Sequence, residues 1–411
     1  MSLFDKFARI GDRHADIEAA GPNPLGVRFD DITSPTEATA DGRSILLAGT
    51  HNYLGLTFDE ACIEAAVSSI QRHGTGTTGS RIANGTYAGH RALEARLAAF
   101  LGREHAMVFP TGYQANLGAI AGLAGPEDVI LLDADSHASI YDACKLSGAT
   151  VIRFCHNSAE DLDRRLSRLE PAVNKLICVE GLYSMLGDTA PLADLVAVKR
   201  DHGAYLLVDE AHSLGVFGER GRGVAERDGV EKDVDFVVGT FSKSLGAMGG
   251  FCASDHPEFK YMRFASRPYM FTASSAPATV ASVLAAVDQV EARPDLKETL
   301  WRNARALHRG LTALGLDLGA DPSPIISAVM PDAEHAVLFW NRLFANGVYV
   351  NLALPPAHSV PLLRCSVSAA HSAAQIERLC AAFETAMQEM AVIGHNRSSA
   401  LVDGHPSTSS G

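Results

Sequence analysis

What the chain lacks narrows its function early. Its seven cysteines (Cys62, Cys144, Cys155, Cys178, Cys252, Cys365 and Cys380) form no Cys-x-x-Cys, so neither a disulfide framework nor a zinc site is expected. Basic residues are outnumbered, 35 against 48, for a formal charge of −13. That balance argues against nucleic acid or an anionic membrane as an electrostatic partner, though a few local donors can still hold a small anion. No run of uncharged apolar residues reaches the ~18 that a spanning helix needs. Met1-Ser2-Leu3-Phe4-Asp5-Lys6 opens no signal peptide, and a cytoplasmic location is expected. The glycine-rich stretch Gly74-Thr75-Gly76-Thr77-Thr78-Gly79-Ser80-Arg81 lacks the Gly-Lys-Ser/Thr ending of a nucleotide-binding P-loop. No internal repeat occurs.

What is present is an alternation. Hydrophobic residues make up 47% of the 411, enough for a large buried core. Short apolar runs at Ala106–Phe109, Val129–Leu132, Thr150–Phe154, Lys175–Val179, Tyr205–Val208, Asp235–Gly239 and Gly250–Ala253 read as strands. Helical patterns lie between them, such as Leu192–His202 with Pro191 before it and Gly203 just past its end. This order predicts an α/β fold: a mostly parallel sheet covered on both faces, with ligands at the carboxyl ends of its strands.

The polar motifs fall at those ends. Gly239-Thr240-Phe241-Ser242-Lys243-Ser244-Leu245-Gly246 places one lysine at the mouth of a buried strand. Desolvating an ammonium is costly and lowers its pKa, which frees the amine to form a Schiff base with a carbonyl. Thr240, Ser242 and the glycine backbone suit a phosphate, and aldehyde plus phosphate suggests pyridoxal 5′-phosphate. Read alone, the octet equally fits a surface lysine in a Gly/Ser loop. Pro110-Thr111-Gly112-Tyr113-Gln114-Ala115-Asn116 opens a helix, and the N–H groups of Gly112 and Tyr113 make either a phosphate seat or a plain N-terminal turn. After Leu132, His137 could stack on a flat ring or serve as a structural histidine. Asp209 closes another strand, where a carboxylate needs a partner such as a protonated pyridine nitrogen, and His212 three residues on can reach the ring oxygen. Asp209-Glu210-Ala211-His212 also spells a helicase ATPase motif, but no P-loop precedes it.

Taken together, a phosphate seat, a stacking histidine, an acid, a second histidine and a lysine follow in order, each after an apolar strand. In this the chain resembles the α-oxoamine synthases, fold-type I pyridoxal-phosphate enzymes with an aspartate aminotransferase-like fold. The likeness spans roughly residues 40–390. It is carried by Asp133–Asp142, Glu180–Asp188, Val237–Ser244, Arg267–Ser274 and Leu362–Ser366, which are most similar to the serine-using branch of the family.

The resemblance implies a homodimer with shared sites and a decarboxylative Claisen condensation. L-Serine would react with palmitoyl-coenzyme A or another long acyl thioester, from coenzyme A or acyl carrier protein, to 3-ketosphinganine. Members using glycine or alanine with other acyl groups are the alternative. It further implies that Lys243 carries the cofactor and acts as acid/base at the substrate α-carbon. Asp209 would pair with the ring nitrogen, His212 with the ring oxygen aided by Ser184, and His137 would stack and touch the substrate carboxylate. Gly112, Tyr113, Thr240 and Ser242 would hold the phosphate, with Thr272 reaching in from a second subunit. Asn52 and Arg364 would bind the amino acid, since a guanidinium fork matches a carboxylate.

Two positions depart from that branch. Leu354 stands where it has an arginine before Pro355-Pro356, and His51 stands where it has a tyrosine. Both put the choice of amino acid, not the reaction type, in question. The domain reading is an arm over 1–45, a large cofactor domain over 46–293, a small α+β domain over 294–392 with a helix at Gln375–Ala391, and a disordered tail over 393–411.

Overall fold

The computed structural model describes residues 2–19 and 21–402. In chain order its strands are β1 (Asp31–Ser34), β2 (Glu37–Ala40), β3 (Arg43–Leu47), β4 (His105–Phe109), β5 (Val129–Asp133), β6 (Thr150–Phe154), β7 (Lys175–Glu180), β8 (Tyr205–Asp209), β9 (Phe236–Thr240), β10 (Gly250–Ser254), β11 (Ile325–Val329), β12 (Val348–Tyr349), β13 (Asn351–Ala353) and β14 (Leu362–Ser366). The first five α-helices are α1 (Ala8–Ala19), α2 (Glu60–His73), α3 (Ala88–Leu101), α4 (Gly112–Leu123) and α5 (Ala138–Ser147). The chain divides into two compact units, one of 1–50, 303–367 and 371 onward, the other of His51–Arg302 with Ser368–Ala370. The first fifty residues thus group with the C-terminal segments.

The larger unit is built on a seven-stranded sheet in the order β4-β10-β9-β8-β7-β5-β6. All seven runs read as strands from the sequence form this sheet, and the α/β expectation holds. Strands β6, β5, β7, β8 and β9 pair in parallel, while β10 runs antiparallel to both β9 and β4. Every residue of β5, β7 and β9 is buried, which is why these strands are continuous apolar runs rather than alternating ones. Phe109, Ile120, Leu132, Cys178, Leu207 and Val238 belong to one core cluster under α4 and α5.

In the smaller unit, β1-β2-β3-β12 form one sheet and β11-β14-β13 another. Trp340, 1% exposed, packs there and donates its indole N–H to the carbonyl of Val350 at 2.8 Å. The expected C-terminal helix is longer than the sequence suggested, running over Ala373–Val402. It takes in the first part of the segment read as a disordered tail, because nothing in 393–402 breaks a helix already nucleated on a buried face. Residues 403–411 of that tail lie outside the described residues.

Candidate active site

Parallel pairing fixes where the polar strand ends go. Asp133 closes β5, Glu180 closes β7, Asp209 closes β8 and Thr240 closes β9, so one sheet edge collects all four. Glu180 and Asp209 are direct register partners. All three carboxylates are at most 5% exposed, and each is compensated by donors, as buried anions must be. Asp209 accepts from Asn116 Nδ2 at 2.7 Å and from the Ala211 amide at 2.9 Å. Asp133 accepts from the Asp135 and Asn157 amides, both at 2.9 Å, and faces His156 at 2.8 Å. Glu180 accepts the main-chain N–H of His137. Burial, and then the charge of Asp209, push the Glu180 pKa well up, against the pull of Lys243.

At the same edge α4 begins. Thr111 caps it, accepting from the Gln114 amide at 3.1 Å. No protein acceptor takes the amide N–H groups of Gly112 and Tyr113 among the described residues. Glycine is required at 112 by contact, since a Cβ there would lie 2.8 Å from Thr240 Cβ. Thr240 Oγ1 donates to the Gly249 carbonyl at 2.9 Å and lies 2.8 Å from Ser242 Oγ. Two free amides, two hydroxyls and a helix N-terminus make a seat for a phosphate.

The histidines are oriented by named partners. His137 Nδ1 accepts from the Ser139 amide at 3.2 Å, so the neutral ring carries its proton on Nε2. Burial lowers the His137 pKa, with Asp209 raising and Lys243 lowering it, which keeps the ring neutral. A chain of hydrogen bonds joins this ring to the acid. Asn116 Nδ2 donates to both Asp209 Oδ2 and Ser139 Oγ (2.9 Å), and Ser139 Oγ lies 2.8 Å from His137 Nδ1. His212 Nδ1 is 2.8 Å from the buried Tyr53 hydroxyl, and His51 meets the His212 ring edge-on at 5.2 Å. Lys243, half-buried in the loop after β9, acts electrostatically on both His137 and Glu180. That loop closes at Gly246 (φ +64°), where a Cβ would sit 2.8 Å from the Thr57 amide.

Of the remaining sequence candidates, Asn52 is buried, donates to Thr57 Oγ1 at 2.7 Å, and leaves its Oδ1 without a partner. Ser184 is half-buried in the loop after β7. Thr272 Oγ1 is 3.3 Å from Gln114 Nε2 of its own chain, beside the start of α4. Arg364 belongs to the smaller unit, buried at the centre of β14 opposite Ser327 and Asn351. Sequence reasoning missed Asn116, Ser139, Glu180 and Tyr53 as site residues. Glu180 alone carried a signal, as an acid ending an apolar strand in the same way as Asp209.

These residues fit pyridoxal phosphate. A carboxylate with two donors behind it faces the same space as a lysine, a neutral imidazole and an anion seat. Buried Asn52 Oδ1 and Asn116 Oδ1 have no partner within the chain. Comparison with known proteins agrees. Residues 44–383 match the family described as aminotransferase class I and II. The chain is 59% identical to a serine palmitoyltransferase of Caulobacter vibrioides, over 92% of this chain and 94% of that protein. It is 47% identical to that of Sphingomonas paucimobilis, over 96% and 94%. A solved serine palmitoyltransferase carrying the PLP internal aldimine superposes with a TM-score of 0.94 at 46% identity, covering 95% of this chain and all of that one.

Proposed function

This chain belongs to the aminotransferase class I and II family, alongside its serine palmitoyltransferases, and from that premise we propose its reaction. It condenses L-serine with a long-chain acyl thioester, palmitoyl-coenzyme A, releasing CO2 and the thiol to give 3-ketosphinganine, the entry to sphingolipid synthesis. The observation that carries this reading is the convergence of Asp209, His137 and Lys243 on one sheet edge beside the α4 amides.

Bound pyridoxal phosphate supplies an electron sink that stabilises negative charge at the substrate α-carbon. The chain does the rest. Gly112, Tyr113, Thr240, Ser242 and Thr272 hold the phosphate. Asp209, fixed by Asn116 and the Ala211 amide, keeps a proton on the ring nitrogen. His212, steadied by Tyr53, and Ser184 bond the ring oxygen. His137 would stack on the ring and offer its Nε2–H to the serine carboxylate, and Asn52 and Arg364 would be further substrate contacts. Lys243 would anchor the cofactor and, as a free amine, would take the α-proton of serine and return a proton to the same carbon once CO2 has left. We further propose a homodimer with shared sites. We also propose a cytoplasmic location, in keeping with a coenzyme A thioester as donor; among the described residues no helix is long and apolar enough to cross a membrane.

The test is a product assay. Protein loaded with pyridoxal phosphate is given serine, glycine or alanine with an acyl-coenzyme A series, and products are identified by mass spectrometry. Serine with palmitoyl-coenzyme A should give 3-ketosphinganine, and Lys243→Ala should give none and lack the visible absorbance of the lysine-bound cofactor. Preference for glycine or alanine, or full turnover by Lys243→Ala, overturns the reading.

A further inference from the structure

One histidine outside the assigned set has a carboxylate at each ring nitrogen. His156 sits in the loop after β6, two residues past Phe154. Its Nδ1 is 2.8 Å from Asp133 Oδ1 and its Nε2 is 2.7 Å from Asp188 Oδ2. A carboxylate oxygen can only accept, so each ring nitrogen must bring a proton, and a ring with both is an imidazolium. Burial by itself would lower the pKa, but the hydrogen bonds of Asp133 and Asp188 outweigh it and raise it to about 10. Tyr183 completes the setting, its ring edge-on to the imidazole at 4.4 Å.

The two carboxylates belong to different loops. Asp133 heads the loop that carries His137: it accepts from the Asp135 amide at 2.9 Å, and its carbonyl accepts from Ser136 at 3.2 Å. Asp188 closes the loop that carries Ser184, its carbonyl accepting from the Tyr183 amide at 2.9 Å. Asn157, held at φ +54°, spans the same gap, giving its amide to Asp133 Oδ2 at 2.9 Å and its side-chain N–H to Asp188 Oδ2 at 2.7 Å. Two anions brought together on adjacent loops would repel, and the cation between them reverses the sign of that interaction.

We propose that His156 is a positioning residue, a fixed cation tying the His137 loop to the Ser184 loop so that both meet the cofactor ring in one register. The proposal rests on the cofactor reading above, yet part of its test does not. Hydrogen–deuterium exchange on the cofactor-free protein compares wild type with His156→Gln and with Asp188→Asn, the milder change should the first fail to fold. Segments 134–139 and 183–188 should lose protection together, though neither is adjacent to position 156 in sequence. In parallel, pyridoxal phosphate titrated into each protein should bind about tenfold more weakly in His156→Gln and less so, in the same direction, in Asp188→Asn. Loss of protection in one loop alone, or lowered thermal stability with unchanged cofactor affinity in both variants, overturns the proposal. Failure of the wild type to bind the cofactor would sink the proposed function instead, while the exchange experiment still decides whether the two loops are coupled.

Discussion

The loops after β5 and β6 leave neighbouring parallel strands at the same sheet edge, and each carries a histidine. Their rings end in opposite protonation states. His137 faces an amide, a hydroxyl and a nearby lysine, and burial drives its pKa down. His156 faces two carboxylates, and burial loses to them. As whole residues, His137 lies exposed at the site while His156 is half-buried, so exposure alone would favour charge on the first; the partners reverse that order and set the charge. A neutral ring can lie over a flat cofactor and donate from Nε2 without importing a cation beside a protonated pyridine. A charged one is suited to hold acidic loops together.

The largest way to break this contrast is at Asp209, the anion that opposes burial at His137. Asp209→Ala should cut kcat with serine and palmitoyl-coenzyme A on the order of 10³-fold, because a preorganised charge at the ring nitrogen is lost; a loss below tenfold would deny the acid that role. Next comes Asp133→Asn, which leaves His156 with a single anionic partner and a buried ion pair broken. Urea unfolding should show a loss of about 3 kcal/mol.

A pH series sharpens the comparison further. A base whose folded pKa is raised stabilises the fold fully below its unfolded value of 6.5 and loses that stabilisation as pH climbs towards about 10. The wild type should therefore lose stability between those limits, and His156→Gln should lose less over the same range. The smallest effect is expected at Ser139, whose hydroxyl joins Asn116 to His137. Ser139→Ala removes the hydroxyl from both contacts and should cost about fivefold in kcat/KM, or about 1 kcal/mol, with the melting temperature lowered by only a few degrees.

Much of the fold was readable because a parallel sheet covered on both faces writes itself as uninterrupted apolar runs. Strands β5, β7, β8 and β9 stood out that way, and so did the polar residues closing them, Asp209 above all, whereas the edge strand β6 is mostly exposed and carries Arg153. Arg364 lies in the middle of the antiparallel β14 opposite Ser327 and Asn351, a pairing set by tertiary register and not by spacing along the chain. Asn116, Ser139 and Tyr53 were not legible as site residues. Each acts through a partner distant in sequence or through a single rotamer, as Tyr53 does on His212 across 159 positions. The C-terminal helix outran its expected end because Ser/Gly-rich composition weakens a helix without forbidding its extension.

The sequence by itself determined the sheet, the order of motifs along it and the chemistry those side chains can perform. Apolar periodicity and side-chain functional groups are local properties of a chain. Only the tertiary structure decided which histidine is neutral and which is charged, and which amide turns which carboxylate. Those depend on distances between residues that no spacing in the sequence encodes, in a medium where burial makes each such contact count.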